Sequence, residues 1–134
     1  MFVDEPAAAI EQIGSRIGLD VAQLHGGETP AQHPAGLRVW KAFRVKDGSM
    51  PDPGYPAEAI LLDGPSTGHS FDWRLGADFR GNLIVAGGLD ENNVRQAVEC
   101  ARPWGVDASS RIEISPGRKD HARMGKFIRA ALES

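Results

Sequence analysis

Five short apolar runs mark the chain, at residues 21–24, 37–43, 59–62, 83–86 and 106–108, with helically spaced apolar residues beside them. Runs this short and this apolar read as strands buried on both faces, and residues 1–3 read as the tail of another. Ile10, Ile13 and Ile17 form one helical stripe, with Asp4 ahead of Pro6 as its start signal. Val94, Ala97, Val98 and Ala101 form a second stripe, opened by Asp90 as N-cap. Met124, Phe127, Ile128, Ala131 and Leu132 form a third, capped by Asp120. The Pro/Gly-rich segments 28–35 and 47–57 leave room only for loops or short helical turns. Strands alternating with helices predict about five and a half βα units around a parallel sheet. Such a set builds either an open doubly wound sheet or part of a barrel, and periodicity does not choose.

Composition narrows the function classes. The 134 residues fit one domain, and 41% hydrophobic residues suffice for a core. With 15 basic against 18 acidic side chains the net charge is −3, which argues against nucleic acid as a partner. No run approaches the roughly 18 apolar residues of a membrane span. Met1-Phe2-Val3-Asp4-Glu5-Pro6 lacks the basic start and apolar core of a secretion signal. Cys100 is the only cysteine, so no intrachain disulfide forms, and the cytoplasm is the expected compartment. His33, His69 and His121 share no ligand spacing with His25 or with each other, so no metal is expected.

The residues that follow the strands carry the chemistry. Leu24 leads into His25-Gly26, Leu62 into Asp63-Gly64, Ala86 into Gly87-Gly88 and Ala108 into Ser109-Ser110. Both α/β architectures place ligand chemistry at these C-terminal strand ends. Two glycines before a helix let backbone N–H groups approach an anion, and Ser109 and Ser110 add hydroxyl donors beside them. The residues alone thus point to a small phosphorylated substrate, with a plain turn as the other reading of the double glycine.

Six motifs then occur in one order: Val21-Ala22-Gln23-Leu24-His25-Gly26; Leu61-Leu62-Asp63; Thr67-Gly68 with Ser70-Phe71-Asp72-Trp73; Ala86-Gly87-Gly88-Leu89 with Asn93-Val94; Val106-Asp107-Ala108-Ser109-Ser110 with Glu113; and Pro116-Gly117-Arg118-Lys119-Asp120. In this register the chain resembles phosphoribosylanthranilate isomerase, a (βα)8-barrel family of tryptophan biosynthesis. The likeness runs from Phe2 to the C-terminus. It implies an incomplete (βα)8 TIM barrel, an open parallel sheet made of the last five to six βα units, with residues 1–134 as a single partial domain. Met1-Phe2-Val3 then matches the end of the family's third strand. The family's Cys-containing motif after strand 1, which supplies the general base, and a substrate-binding Arg after strand 2 have no counterpart in these residues. Cys100, at the end of a predicted helix, is no substitute.

The reaction that the resemblance implies is an Amadori rearrangement of N-(5'-phosphoribosyl)anthranilate, with no metal or organic cofactor. A general acid protonates the ribose ring oxygen, and a base removes the C2′ proton from the resulting Schiff base. Two such groups need environments that push their pKa values apart. Asp63 matches the family's acid, and the apolar run before it supplies one neighbour that favours a neutral carboxyl. His25 and Asp107 match substrate-binding positions, while Gly87, Gly88, Ser109 and Ser110 match the phosphate site. Asp72 reads as a helix cap, with Phe71 and Trp73 beside it in the core.

Some positions depart from the family pattern. The loop Pro65-Ser66-Thr67-Gly68-His69 loses two glycines and the usual basic residue, and Gly27 replaces an acidic one. Arg111 stands where the family has Gly, and either blocks the phosphate or offers it a guanidinium. The chain by itself is therefore expected to bind a phosphorylated small molecule and to lack isomerase turnover. The competing expectation is a non-catalytic phosphate-binding or assembly module derived from the same barrel. An opened sheet also implies self-association through its edges, with Val3, Val21, Val106 and Ala108 losing interior neighbours.

Overall fold

The computed structural model describes residues 1–46, 48–51, 54–66 and 68–134. Thr67 of the third motif lies outside the described residues. Five strands, β1 (Val21–Leu24), β2 (Arg38–Arg44), β3 (Ala59–Asp63), β4 (Leu83–Val85) and β5 (Gly105–Val106), form one parallel sheet in the order of the chain. Each strand pairs with its sequence neighbours, so no strand is skipped and the order never reverses. A doubly wound sheet reverses at a switch point, whereas a barrel runs in sequence; the order here is barrel-like. Among the described residues no pairing joins β5 to β1.

The strand boundaries differ from expectation mainly at the ends. Residues 1–3 reduce to an isolated parallel bridge, in which the Phe2 N–H donates to Gln23 O and Phe2 O accepts from His25 N–H, both at 2.8 Å. The last strand starts at Gly105 and stops at Val106, although the Asp107 N–H still donates to Val85 O at 2.9 Å. An antiparallel hairpin, β6 (Glu113–Ser115) with β7 (Arg118–Lys119), was not expected. Pro116-Gly117 turns it, with Gly117 at φ 80°, the pattern of a type II turn.

Helix α1 (Ala7–Ile17) has Pro6 at its N-cap position and ends on left-handed Gly18, φ 66°. Asp4 does not cap it; its Oδ1 accepts from the Gly27 N–H at 2.6 Å instead. Only Ile10 of the stripe is fully buried, packing with Ala22, Leu24 and Val39, while Ile13 and Ile17 stay exposed. The helix lies over β1 and β2. Helix α2 (Val94–Ala101) begins after Asn93, not Asp90. The Asp90 side chain turns to the Asn92 N–H, and only its backbone carbonyl accepts from Val94. Helix α3 (His121–Leu132) is capped as expected, Asp120 Oδ1 accepting from the Ala122 and Arg123 N–H groups. Asp72 likewise caps a short 3-10 turn at Trp73–Gly76 by accepting from the Arg74 N–H.

Strand alternation sorts the core into two faces. Ile60, Leu62, Leu83 and Val85 meet Val94, Ala97, Ala101 and Phe127 of the helices. On the other face Ala42, Ala59, Leu61, Ile84 and Ala86 pack with Trp40. Val106 and Ala108 belong to the helical face, because Val106 pairs in register with Val85; the sequence reading had them interior. The same parity carries Asp63 and Asp107 up from the Trp40 face and aims their strand ends at one mouth.

Candidate functional site

A cavity of about 390 Å³ opens at the C-terminal ends of the strands. His25, Asp63 and Asp107 line it, as do Gly87, Gly88, Ser109 and Ser110. Every residue singled out from the sequence for chemistry therefore reaches one space. Gln23, Arg44 and Arg111 share the wall. Cys100 sits half-buried on α2 and does not line the cavity. No described group of three or more His, Cys, Asp or Glu side chains is arranged to hold a metal.

Asp63 is the last residue of β3, and its Oδ1 accepts from the Gly64 N–H at 2.9 Å. Arg44, at the end of β2, is its partner in strand register. His25 follows β1 and shares a face with Gln23, whose Oε1 accepts from His25 Nε2 at 2.8 Å. Burial holds the His25 imidazole below the ordinary histidine value, against the Asp63 and Asp107 carboxylates, which pull the other way. The ring is thus neutral at neutral pH.

The double glycine has a packing reason beside its anion reason. Gly87 has φ 81°, and a Cβ there would run into the Gly64 backbone and approach Asp63 Oδ1 to 2.8 Å. Gly88 has φ 66° and lies against Gly68 and Ser70, with 2.9 Å to the first contact. Asn93 clasps the loop: its Nδ2 donates to Gly88 O at 2.9 Å and its Oδ1 accepts from the Asp90 N–H at 2.8 Å. The Gly87 and Gly88 N–H groups donate to no acceptor among the described residues. Arg111 stands beside this loop, its Nε 3.9 Å from Asp90 Oδ2, which leaves its guanidinium half-exposed to the cavity.

Under the His25 loop lies a buried ion pair that sequence reading missed. Lys41 and Glu28 are 2% and 5% exposed, and Lys41 Nζ donates to Glu28 Oε2 at 2.9 Å and to Gly26 O at 2.6 Å. Glu28 Oε1 accepts from the Asp4 N–H at 2.8 Å and the Gly26 N–H at 3.2 Å. Burial alone would raise the Glu28 carboxyl, but the Lys41 hydrogen bond and the backbone donors bring it below its ordinary value. The pair ties β2 to the loop that carries His25. A lysine inside an apolar strand was the available signal, since such a charge is buried only with a partner. Asn93 and Arg44 gave weaker ones, a polar residue near a helix start and an arginine closing a strand.

Comparison with known proteins agrees with this geometry. The sequence model of the family described as N-(5'phosphoribosyl)anthranilate (PRA) isomerase matches residues 1–130. The N-(5'-phosphoribosyl)anthranilate isomerase of Solibacter usitatus is 51% identical over 140 residues, covering 98% of this chain and 70% of its own length. That of Geobacter sulfurreducens is 46% identical over 142 residues, covering 98% and 70%. Among solved structures, the Thermus thermophilus enzyme superposes with a TM-score of 0.86 at 30% identity, covering 98% of this chain and 70% of that one. The Thermotoga maritima enzyme gives 0.85 at 33% identity, covering 99% and 71%. A further neighbour, 33% identical with a TM-score of 0.82 over 99% of this chain and 70% of its own, is a complex with reduced 1-(o-carboxyphenylamino)-1-deoxyribulose 5-phosphate. A barrel-ordered parallel sheet, one polar mouth at its strand ends and this set of relatives lead to one conclusion: the chain belongs to the phosphoribosylanthranilate isomerase family.

Proposed function

We propose that this chain carries the acid and the phosphate grip of an N-(5'-phosphoribosyl)anthranilate isomerase acting in tryptophan biosynthesis. The observation that carries the reading is the single cavity in which His25, Asp63, Asp107 and the Gly87–Gly88 and Ser109–Ser110 loops meet. In-sequence strand order supports the companion reading that the five strands are consecutive units of an incomplete (βα)8 barrel.

The rearrangement is acid–base chemistry. Asp63 protonates the ribose ring oxygen, the C1′–O bond breaks, and a Schiff base forms. Removal of the C2′ proton gives an enolamine, which tautomerises to the ketone. Gly87, Gly88, Ser109 and Ser110 hold the phosphate through N–H and hydroxyl donors, with Arg111 adding a guanidinium. His25, neutral and oriented by Gln23, and Asp107 contact the sugar. Asp63 sits between the phosphate loops and the β1–β2 end of the mouth, where the ring must lie.

The test joins this chain to the preceding residues of the Solibacter usitatus relative and replaces Asp63 by Asn. Turnover should fall by at least about a hundredfold, the usual worth of a general acid, while affinity for the reduced product analogue stays within about threefold. Equal kcat in the two proteins removes Asp63 from the role. The second reading, a phosphate-binding module without turnover, is favoured by the place of Cys100 on α2, away from the cavity. For the chain alone, binding of phosphate or the product analogue without turnover supports that module; turnover shows that a base other than a cysteine operates.

A further inference from the structure

Both anion loops of the cavity are clasped from outside it. Asn93 holds the Gly87–Gly88 loop, and the β6–β7 hairpin, which no step of the rearrangement uses, holds the Ser109–Ser110 loop. Lys119 Nζ donates to Ser109 O at 3.0 Å and to Glu113 Oε1 at 2.8 Å. Glu113 and Lys119 pair in register across the hairpin, so the carboxylate fixes where the ammonium ends. The Lys119 hydrogen bond holds the Glu113 carboxyl below its ordinary value, which keeps it an anion at neutral pH. The hairpin is itself anchored. Ile112 ahead of it is buried in the core, and the Asp120 N–H behind it donates to Ile112 O at 2.9 Å while the Asp120 side chain caps α3. Neither Glu113 nor Lys119 lines the cavity, so the pair acts only through the loop it holds.

Ser109 O is one half of the Ser109–Ser110 peptide. A trans peptide is planar and points its C=O and N–H to opposite sides. Holding Ser109 O on the hairpin therefore turns the Ser110 N–H away from Lys119, and among the described residues that N–H donates to no acceptor. The other donor to Ser109 O is the Ile112 N–H, at a long 3.4 Å. Ser110 itself lines the cavity. We propose that Lys119, aimed by Glu113, is a positioning residue that holds the Ser110 N–H toward the phosphate of the substrate. This rests on the phosphate-grip reading of the cavity. A lysine without a partner samples many rotamers; the cross-strand carboxylate removes that freedom, so the two side chains work as one unit.

The experiment measures calorimetric binding of two probes to the wild-type chain, Lys119→Met, Lys119→Arg and Glu113→Gln. One probe is reduced 1-(o-carboxyphenylamino)-1-deoxyribulose 5-phosphate; the other is the same compound without its phosphate. Lys119→Met should weaken the phosphate probe about tenfold, the worth of one hydrogen bond to a charged group, and leave the other unchanged. Lys119→Arg, which still donates to both acceptors, should restore most of the loss. Glu113→Gln sets the sign. Losing a negative charge near an anion site would tighten the phosphate probe through space. Losing the group that aims Lys119 should instead weaken it about threefold, the worth of a cross-strand charge pair. Unchanged phosphate-probe binding in Lys119→Met, no recovery in Lys119→Arg, an equal loss on both probes, or tighter binding in Glu113→Gln overturns the positioning role while the phosphate grip stands. If Lys119→Met does not fold, the shape-conserving Glu113→Gln decides by the same two probes. A wild-type chain that binds neither probe, or both equally, overturns the phosphate grip and the positioning role together.

Discussion

The neutral imidazole of His25 follows from a contest between burial, which disfavours its charged form, and two nearby carboxylates, which favour it. Burial wins, so the site presents an uncharged ring at neutral pH. In an NMR titration His25 should protonate below the ordinary histidine value. Replacing Asp107 by Asn should lower it further, because that carboxylate raises it; an upward move in the variant contradicts this electrostatic picture. The same sign holds for stability. The unfolded chain takes the proton first, so acidification below the ordinary histidine value favours unfolding.

Strand β2 and the β1 loop are joined by the Lys41–Glu28 pair, and the element-scale cost of breaking it is large. Glu28→Gln leaves the Lys41 ammonium buried without its counter-charge and should cost about 3–5 kcal/mol in denaturant unfolding. The Glu28 carboxyl lies below its ordinary value when folded. Its contribution is therefore full above the ordinary glutamate value and fades as pH falls through the lowered one. In Glu28→Gln that acid-side slope should disappear. A variant with unchanged stability would show that Gly26 O and Ala42 O satisfy Lys41 without the carboxylate.

At the scale of the molecule, the sheet of the described residues ends at β5 on one side and at the Phe2 bridge beside β1 on the other. β5 pairs on its β4 side, β1 is met beyond by Phe2 alone, and Met1, Val3 and Trp104 remain exposed at 79%, 54% and 53%. Free strand edges beside exposed apolar groups recruit further strands. The chain alone should elute from size exclusion above its monomer mass, increasingly so with concentration. A monomer whose amides at 1–3 and 105–107 resist exchange strongly would refute this. No described helix is long and apolar enough to cross a membrane, so the exposed groups do not form a membrane-spanning helix.

Local pattern was enough for the strands and for most of the residues that line the cavity. Apolar runs bounded by Gly, Asp and Ser are short-range signals, and the residues just past each run lie at the strand's C-terminal end in any parallel sheet, so His25, Asp63, Gly87 and Ser109 were legible one by one. The Asp120 cap was legible for the same reason, since its bonds close within three residues. Strand order was not, because the apolar period of a doubly wound sheet and of a barrel is identical; only pairing across the chain, β1 through β5 in sequence, separates them. The side of the sheet that Val106 faces depended on its register with Val85. The Lys41–Glu28 pair joins residues 13 apart in sequence through a folded loop. Sequence by itself located the five strands of the sheet to within a residue or two and the polar residues near their ends; the tertiary structure decided which of those ends share a mouth, because that depends on hydrogen bonds between segments that local spacing does not encode.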